Sequence, residues 1–475
     1  MNADSYSSHA GINTVFSQSD IRFRTAQPRR SPQAVLKIPC ATTPLRTPEE
    51  EADLTGFDEI DFFTDVSLVE DPYPYFEHLR SKCPVTHMPH HGVVAVTGYD
   101  EALEVYRNHE VYSSANAFLG PFPPLPFTPE GDDITDQLAA HRDQLPLNEH
   151  MVTMDPPDHT AQRALLKRLL TPKRLKENEE FMWRLADKQI DTFFGSGRME
   201  LLDDYAKPFA LIVVADLLGV PEEDHDQFRD KLLSQTARTL NQDEEVEVNP
   251  LEWLDAQFSG YIEDRRKNPR ADVLTDLATA TYPDGTLPEV IDVVRLATFL
   301  FAAGQETTAR LLSSSIQVLA ERPDIQKQLR DDRELIPAFI EETLRVESPV
   351  KTDFRLVLKN TTLRGIDLPA GTPVAILPGA INRDPDRFEC PAEFRVDREN
   401  LREHIAFGRG VHSCPGGPLA RVEAKVSIER FLDRMGDIKL DETEHGPESD
   451  RKFTWEPTYL LRGLNNLHLQ YDPIG

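Results

Sequence analysis

A single cysteine lies in the glycine-rich loop Phe407-Gly-Arg-Gly-Val-His-Ser-Cys-Pro-Gly416, and this loop limits the possible folds more than any other feature. The amphipathic pattern after Pro415 predicts a helix to about Met435, and proline is well tolerated at the first helical position. A helix N-terminus carries partial positive charge and free N–H groups, which favour a thiolate at Cys414. Glycines allow the backbone to approach a flat ligand. The loop therefore predicts a thiolate that acts as a nucleophile, a redox group or a metal ligand.

The loop resembles the haem-binding loop of the cytochrome P450 family at five positions, Phe407, Gly410, His412, Cys414 and Gly416. The resemblance implies that Cys414 is the ligand of the iron in haem b and that Phe407 shields its sulfur. A thiolate ligand pushes electron density onto the iron and favours cleavage of the O–O bond. We therefore expect an oxygen-dependent monooxygenase, most often one that hydroxylates C–H bonds.

The longest apolar helix predicted from the sequence contains a glycine, an acid and two hydroxyl groups within Ala302–Thr308. Gly304 inside a helix costs about 1 kcal/mol relative to alanine, and such local violations in a core element indicate function. The run resembles the distal helix of cytochromes P450. The resemblance implies that Ala303 and Gly304 make room for dioxygen, and that Glu306 and Thr307 organise the waters that deliver protons to it.

A pair of opposite charges also matches the family. Glu342 and Arg345 stand three residues apart on one predicted helix. Alone, such a pair on a helix surface contributes only about 0.2–0.5 kcal/mol. The resemblance implies a structural role, in which the pair braces the proximal side of the fold. A third partner is either Arg395 or Arg398, and the sequence leaves this choice open.

The two carboxylates of haem require charged or polar donors where they are buried. The segment Asp155–Arg163 matches the start of a family helix, which implies that His159 and Arg163 reach a carboxylate. The resemblance places Arg355 and His412 at the positions of two further donors. For His159, an ordinary capping role near the N-terminus of its helix stays open.

The predicted elements give a mainly α fold with a minor β part. Residues 354–377 alternate and contain turn residues, which predicts β hairpins, whereas residues 113–154 predict a long loop rich in proline and phenylalanine. The resemblance covers roughly residues 65–470. It implies the cytochrome P450 fold, a helix-rich triangular prism with haem between the long distal helix and the cysteine-loop helix. We predict a disordered tail over residues 1–50 and a single haem domain over residues 51–475.

Composition excludes several classes of partner. The formal net charge of −29 argues against nucleic acid and anionic membranes. No apolar run reaches the roughly 18 residues that indicate a membrane span. The four cysteines have no CxxC spacing, so disulfides are not needed and a reducing cytoplasm fits. We expect a cytoplasmic monomer.

We expect electrons to come from another protein, because the sequence shows no flavin- or nicotinamide-binding half beside the predicted haem domain. The resemblance places the helix after His159 beside the proximal haem face. Its basic residues Lys167, Arg168, Lys173 and Arg174 predict a docking surface for an acidic ferredoxin. The alternative is a basic helix end that complements the helix dipole.

The substrate class is the least constrained feature of the sequence. Apolar residues of the long loop either line a pocket or pack the loop onto the body: Phe118, Phe122, Leu125 and Phe127. The resemblance places four further apolar residues at substrate-contacting positions: Leu300, Ala303, Val350 and Phe354. Together they predict a hydrophobic terpene, steroid, aromatic or fatty compound. Three other functions stay open, namely a peroxide-using haem-thiolate enzyme, a non-catalytic haem binder and a cysteine hydrolase; the acid–alcohol pair argues against the first two.

Overall fold

The computed structural model describes residues 55–233 and 251–474. More than half of the chain is helical, which confirms the predicted mainly α fold. The α-helices are Ser67–Glu70, Tyr73–Lys82, Tyr99–Arg107, Thr135–Ala140, Asp158–Leu169, Pro172–Phe193, Lys207–Leu218, His225–Leu233, Glu252–Lys267, Val273–Ala278, Val290–Glu321, Pro323–Asp331, Ile336–Val346, Pro378–Ile381, Gly417–Arg434 and Glu442–His445. The predicted tail over residues 1–50 lies outside the described residues, and the single domain over residues 51–475 stays a prediction.

Ten short strands form three sheets within the described ranges. They are β1 (Val85–His87), β2 (Val94–Val96), β3 (Tyr112–Ser113), β4 (Arg198–Glu200), β5 (Asp353–Val357), β6 (Thr361–Leu363), β7 (Ile366–Leu368), β8 (Pro373–Ile376), β9 (Lys439–Leu440) and β10 (His468–Gln470). The largest sheet has the order β1-β2-β8-β5-β3, in which only β2 and β8 run parallel. β6 and β7 form a hairpin of the kind predicted for this region.

The long helix, Val290–Glu321, packs against the helix Lys207–Leu218 and against the cysteine-loop helix, Gly417–Arg434. Its buried apolar side chains belong to two large apolar clusters. Gly304 allows the close contact with the helix Lys207–Leu218, because a Cβ at this position would lie 2.9 Å from Cγ2 of Val214. The glycine that breaks helix propensity is therefore required where two helices approach closely.

Two local expectations differ from the structure. The prediction of one continuous loop over residues 113–154 is wrong at Thr135–Ala140, which is a short helix. The pairing of β4 with β10 was not predicted. Both strands have three residues, too few to show an alternating pattern, and they come from distant parts of the sequence. None of the helices described combines the length and apolar character needed to cross a membrane.

Candidate active site

The cysteine loop, residues 407–416, turns tightly in front of the cysteine-loop helix. The N–H group of Cys414 donates to the carbonyl oxygen of Phe407 at 2.8 Å. Gly410 adopts a left-handed φ of 71°. A Cβ on Gly410 would lie 2.1 Å from the carbonyl oxygen of Tyr106, so this position accepts only glycine. Packing of the loop therefore requires this glycine independently of any ligand.

The thiol of Cys414 is free and partly accessible. Protein atoms nevertheless enclose much of it, and this burial raises the pKa of the thiol. The backbone N–H groups of Gly416 and Gly417 and the guanidinium of Arg163 oppose the rise, because they stabilise the thiolate. Cys390, by contrast, is disulfide-bonded, a pairing that the spacing of the cysteines did not predict. Cys414 thus remains available to a ligand.

Four basic side chains meet beside the cysteine loop. The rings of His159 and His412 lie 3.9 Å apart. Both nitrogens of His159 and Nε2 of His412 are buried without a hydrogen-bond partner among the described residues. Burial, followed by nearby positive groups that include Arg163 and Arg355, lowers the pKa of His159 to about 4 and that of His412 to about 2. Unpartnered buried imidazoles beside guanidinium groups favour an anionic ligand.

The two guanidinium groups of this cluster are already oriented by the protein. Arg163 lies on the helix Asp158–Leu169 and donates from Nη2 to the carbonyl oxygen of Ser413 at 2.5 Å. Arg355 lies on β5 and donates from Nη1 to Asp353 at 2.9 Å. A helix, a strand and the cysteine loop therefore contribute to one basic site.

One face of the long helix carries the predicted acid and alcohol. Ala303, Glu306 and Thr307 stay partly accessible in the middle of a helix that is otherwise largely buried. The hydroxyl of Thr307 donates to the carbonyl oxygen of Ala303 at 2.8 Å, one turn earlier. Oε2 of Glu306 accepts from Nη1 of Arg310 at 3.1 Å. The acid and the alcohol are thus adjacent on one accessible strip.

The buried carboxylate of Glu342 binds two guanidinium groups. Nε and Nη2 of Arg345 each donate to it at 2.8 Å, and Nε of Arg398 donates at 2.9 Å. Arg395 contributes only its backbone N–H at 2.7 Å, since its side chain pairs with Asp397. Arg398 is therefore the third partner that the sequence left open.

A second buried acid, Glu341, was not predicted from the sequence. Arg421 of the cysteine-loop helix donates to it from Nε at 2.5 Å and from Nη2 at 3.0 Å, and Nε2 of His404 lies 2.9 Å away. Burial opposes ionisation of Glu341, but the hydrogen bonds from His404 and Arg421 outweigh it and lower its pKa to about 2. Burial lowers the pKa of His404, and the hydrogen bond to Glu341 opposes this shift. Arg421 also lies 4.6 Å above the ring of Phe407, which connects this network to the cysteine loop.

A cavity of about 330 Å³ lies under the proline-rich loop. Its lining includes all four candidates from this loop: Phe118, Phe122, Leu125 and Phe127. Phe122 also packs on the body, 5.3 Å from the ring of Phe63, so both interpretations of the loop apply. Phe354 is fully buried against Phe63, and it does not line this cavity; neither do Leu300, Ala303 and Val350.

The basic residues predicted to dock a redox partner have different surroundings. Lys173 is 87% exposed. Arg174 is largely buried and pairs with the carboxylate and carbonyl oxygens of Asp216. The prediction for Arg174 is therefore corrected, because its guanidinium is used inside the protein and is not available to a partner. The side chains of Lys167 and Arg168 lie outside the described part of the structure.

Comparison with known proteins adds to this geometry. A family model described as Cytochrome P450 matches residues 130–459. Cytochrome P450 144 of Mycobacterium tuberculosis is 34% identical over 449 residues, which cover 93% of this chain and 98% of that protein. The chain belongs to the cytochrome P450 family. Substrate-free CYP150A6 of Mycobacterium marinum is 62% identical with a TM-score of 0.84, covering 88% of this chain and 100% of that one. CYP109E1 of Bacillus megaterium, solved with testosterone, is 29% identical with a TM-score of 0.70, and the match covers 85% of this chain and 99% of that one.

This cytochrome P450 has the predicted family fold, binds haem b and is a monooxygenase. The chemistry of the residues around Cys414 fits haem independently of these comparisons. Haem carries two carboxylates, and the unpartnered nitrogens of His159 and His412 lie with Arg163 and Arg355 in a cluster of basic groups that suits them. The free thiol of Cys414 is a suitable iron ligand.

Proposed function

We propose that this cytochrome P450 inserts one atom of dioxygen into a C–H bond of a hydrophobic small molecule, with electrons from a separate ferredoxin. The reaction consumes substrate, dioxygen, two electrons and two protons, and it yields the hydroxylated product and one water. The observation that carries the proposal is a free thiol at Cys414 next to a basic cluster whose imidazole nitrogens lack partners among the described residues.

Cys414 is the proposed ligand of the haem iron. The other proposed haem contacts are His159, Arg163, Ala303, Gly304, Arg355, Phe407, His412 and Gly416. When bound, haem supplies the oxygen chemistry, and its thiolate ligand favours cleavage of the O–O bond. The basic residues bind its carboxylates, since charge-assisted hydrogen bonds are the strong ones. Replacing Cys414 by serine is expected to abolish the spectrum of a thiolate-ligated haem; a retained spectrum would refute the assignment.

Glu306 and Thr307 are the proposed catalytic residues. Both lie on the accessible strip of the long helix, where an acid beside an alcohol can hold a water and pass protons towards the reacting oxygen. Ala303 and Gly304 present no side chain larger than a methyl group on this helix. The ion pair between Glu342 and Arg345 has a proposed structural role.

A steroid-sized, hydrophobic substrate is supported by the likeness to CYP109E1, which was solved with testosterone, and by the apolar side chains of the proline-rich loop. The cavity that these side chains line includes none of the proposed haem contacts or catalytic residues. We would titrate the ferric holoenzyme with testosterone and with hexadec-9-enoic acid and follow the Soret band. A blue shift with testosterone alone supports a steroid, and a shift with the acid alone replaces it by a fatty compound. Phe118→Ala should weaken the response, whereas Ile291→Ala, which also truncates a side chain that is 37% exposed, should not.

The proposed ferredoxin docks partly on Lys173. Lys173→Glu should slow electron transfer at low salt and have less effect at high salt, because exposed charges are screened. Lys267→Glu is the matched control, since Lys267 is 73% exposed and lies 3.5 Å from Glu263, as Lys173 lies 3.7 Å from Glu177. Turnover with hydrogen peroxide alone, without ferredoxin and reductant, would favour the peroxide-using alternative. The monomeric state and the cytoplasmic location stay predictions.

A further inference from the structure

Arg310 connects two acids from distant parts of the chain. It lies on the long helix, one turn after Glu306, and its side chain is only 5% exposed. Nη1 donates to Oε2 of Glu306 at 3.1 Å, and Nη2 donates to Oε2 of Glu456 in residues 451–467, the C-terminal loop. Its Nε is buried without a partner among the described residues. The two acids therefore share one buried guanidinium.

The C-terminal loop is shaped to reach this guanidinium. A Cβ on Gly463 would lie 2.5 Å from Cγ of Arg310, so the loop approaches the stem of Arg310 more closely than any larger residue allows. The N–H of Glu456 donates to the carbonyl oxygen of Gly463 at 3.0 Å, which places the acid opposite the glycine. The loop thus presents a carboxylate to Arg310 at a fixed place.

We propose that Glu456, acting through Arg310, is a positioning residue that keeps Glu306 held by one oxygen only. Arginine can bind a carboxylate through two parallel hydrogen bonds. Glu456 occupies the second terminal nitrogen, so Arg310 binds Oε2 of Glu306 and leaves Oε1 without a partner among the described residues. The free oxygen can bind a water and pass its proton. This inference rests on the proposed catalytic role of Glu306.

Removing the carboxylate of Glu456 has a defined consequence. In Glu456→Gln the second nitrogen of Arg310 loses its charged partner and turns to Glu306, which becomes bound through both oxygens. Proton delivery then slows although Glu306 itself is unchanged. Glu448→Gln is the matched control, because it removes the same charge from an exposed position in the same C-terminal region.

The first test is a double-mutant cycle in urea unfolding of the holoenzyme. Glu306→Gln or Glu456→Gln alone leaves Arg310 one carboxylate, whereas the double variant leaves it none, so we expect the double variant to lose more stability than the sum of the single variants. Glu306→Gln combined with Glu448→Gln should be additive. Additivity in both pairs would show that the acids do not share Arg310 and would overturn the inference.

The second test measures proton delivery without an organic substrate. With ferredoxin, its reductase and NADPH, dioxygen is reduced either to hydrogen peroxide, with two electrons and two protons, or to two waters, with four of each. We expect Glu456→Gln to raise the peroxide released per dioxygen consumed towards the value of Glu306→Gln, while Glu448→Gln matches the wild type. An unchanged ratio in Glu456→Gln refutes the positioning role. An unchanged ratio in Glu306→Gln as well also removes the proposed catalytic role of that acid.

Discussion

Arg395 and Arg398 lie three residues apart in the irregular segment, residues 382–406, between the helix Pro378–Ile381 and the cysteine loop. Their contributions to stability should nevertheless differ sharply. Arg398 donates to the fully buried carboxylate of Glu342, and its terminal nitrogens donate to three backbone carbonyl oxygens. Arg398→Ala removes one of two guanidinium groups from this carboxylate and takes the donor from the carbonyl oxygens of Glu389 and Cys390, whereas that of Glu393 still accepts from Arg345. Because Glu342 keeps both hydrogen bonds from Arg345, the loss is that of one hydrogen bond between charged groups, about 1.5–3 kcal/mol, together with the unpaired carbonyl oxygens. We therefore expect the free energy of unfolding to fall by about 3 kcal/mol.

Arg395→Ala is the matched control. The side chain of Arg395 pairs only with Asp397, at 3.2 Å, and Asp397 is 54% exposed. Exposed pairs of this kind contribute about 0–1 kcal/mol, and the backbone N–H that donates to Glu342 remains in the variant. Urea unfolding of the holoenzyme, followed by far-UV circular dichroism, gives both values. If the two variants differ by less than about 1 kcal/mol, the choice of Arg398 as the structural partner is refuted.

Three further predictions follow from the cysteine loop and its surroundings. Pro415→Leu adds a backbone N–H near the sulfur of Cys414, so the reduction potential should rise in a spectroelectrochemical titration; an equal or lower potential contradicts this. Because the pKa of Glu341 is lowered from 4.5 to about 2, its ionised carboxylate stabilises the folded protein above pH 4.5, and this stabilisation is lost as the pH falls towards 2. Glu341→Gln should therefore lower stability at pH 7 by about 3 kcal/mol and weaken its pH dependence below 4.5 in unfolding experiments; an unaltered acid profile would refute this. Arg163→Gln removes a proposed carboxylate partner, so haem should transfer faster to an apo-globin, and an unchanged half-life would exclude the contact.

Features set by local chemistry were predictable from the sequence. Pro288 and Pro323 bracket the longest apolar run, and the long helix extends from Val290 to Glu321 between them. Proline is disfavoured inside a helix because it lacks the N–H donor and clashes with the preceding turn, so these limits follow from the residue itself. The glycine at position 410 was expected from its motif, and the contact with the backbone of Tyr106 supplies the reason.

Features set by the direction of a side chain in the folded chain were not predictable. Lys173 and Arg174 are adjacent basic residues at the start of one helix, yet Lys173 is exposed, whereas Arg174 binds Asp216 of another helix. Nothing in the local sequence distinguishes the two, because the partner of Arg174 lies more than 40 residues further along the chain. The choice between Arg395 and Arg398 likewise depends on which side chain turns inward from an irregular segment, and no periodicity encodes that.

Two consecutive acids on one short helix show how the irregular segment and the cysteine loop are held together. Neighbouring residues of an α-helix point about 100° apart, so Glu341 and Glu342 of Ile336–Val346 face different parts of the structure. Glu342 binds Arg398 of the irregular segment, and Glu341 binds Arg421 of the cysteine-loop helix. Because both carboxylates are buried and each has two charged or polar partners, moving either segment would take one of these partners from a buried carboxylate. The two acids of this helix thus help to fix the position of Cys414, although neither of them contacts its thiol. Substitutions at Glu341 should therefore alter the environment of the sulfur as well as the stability of the protein.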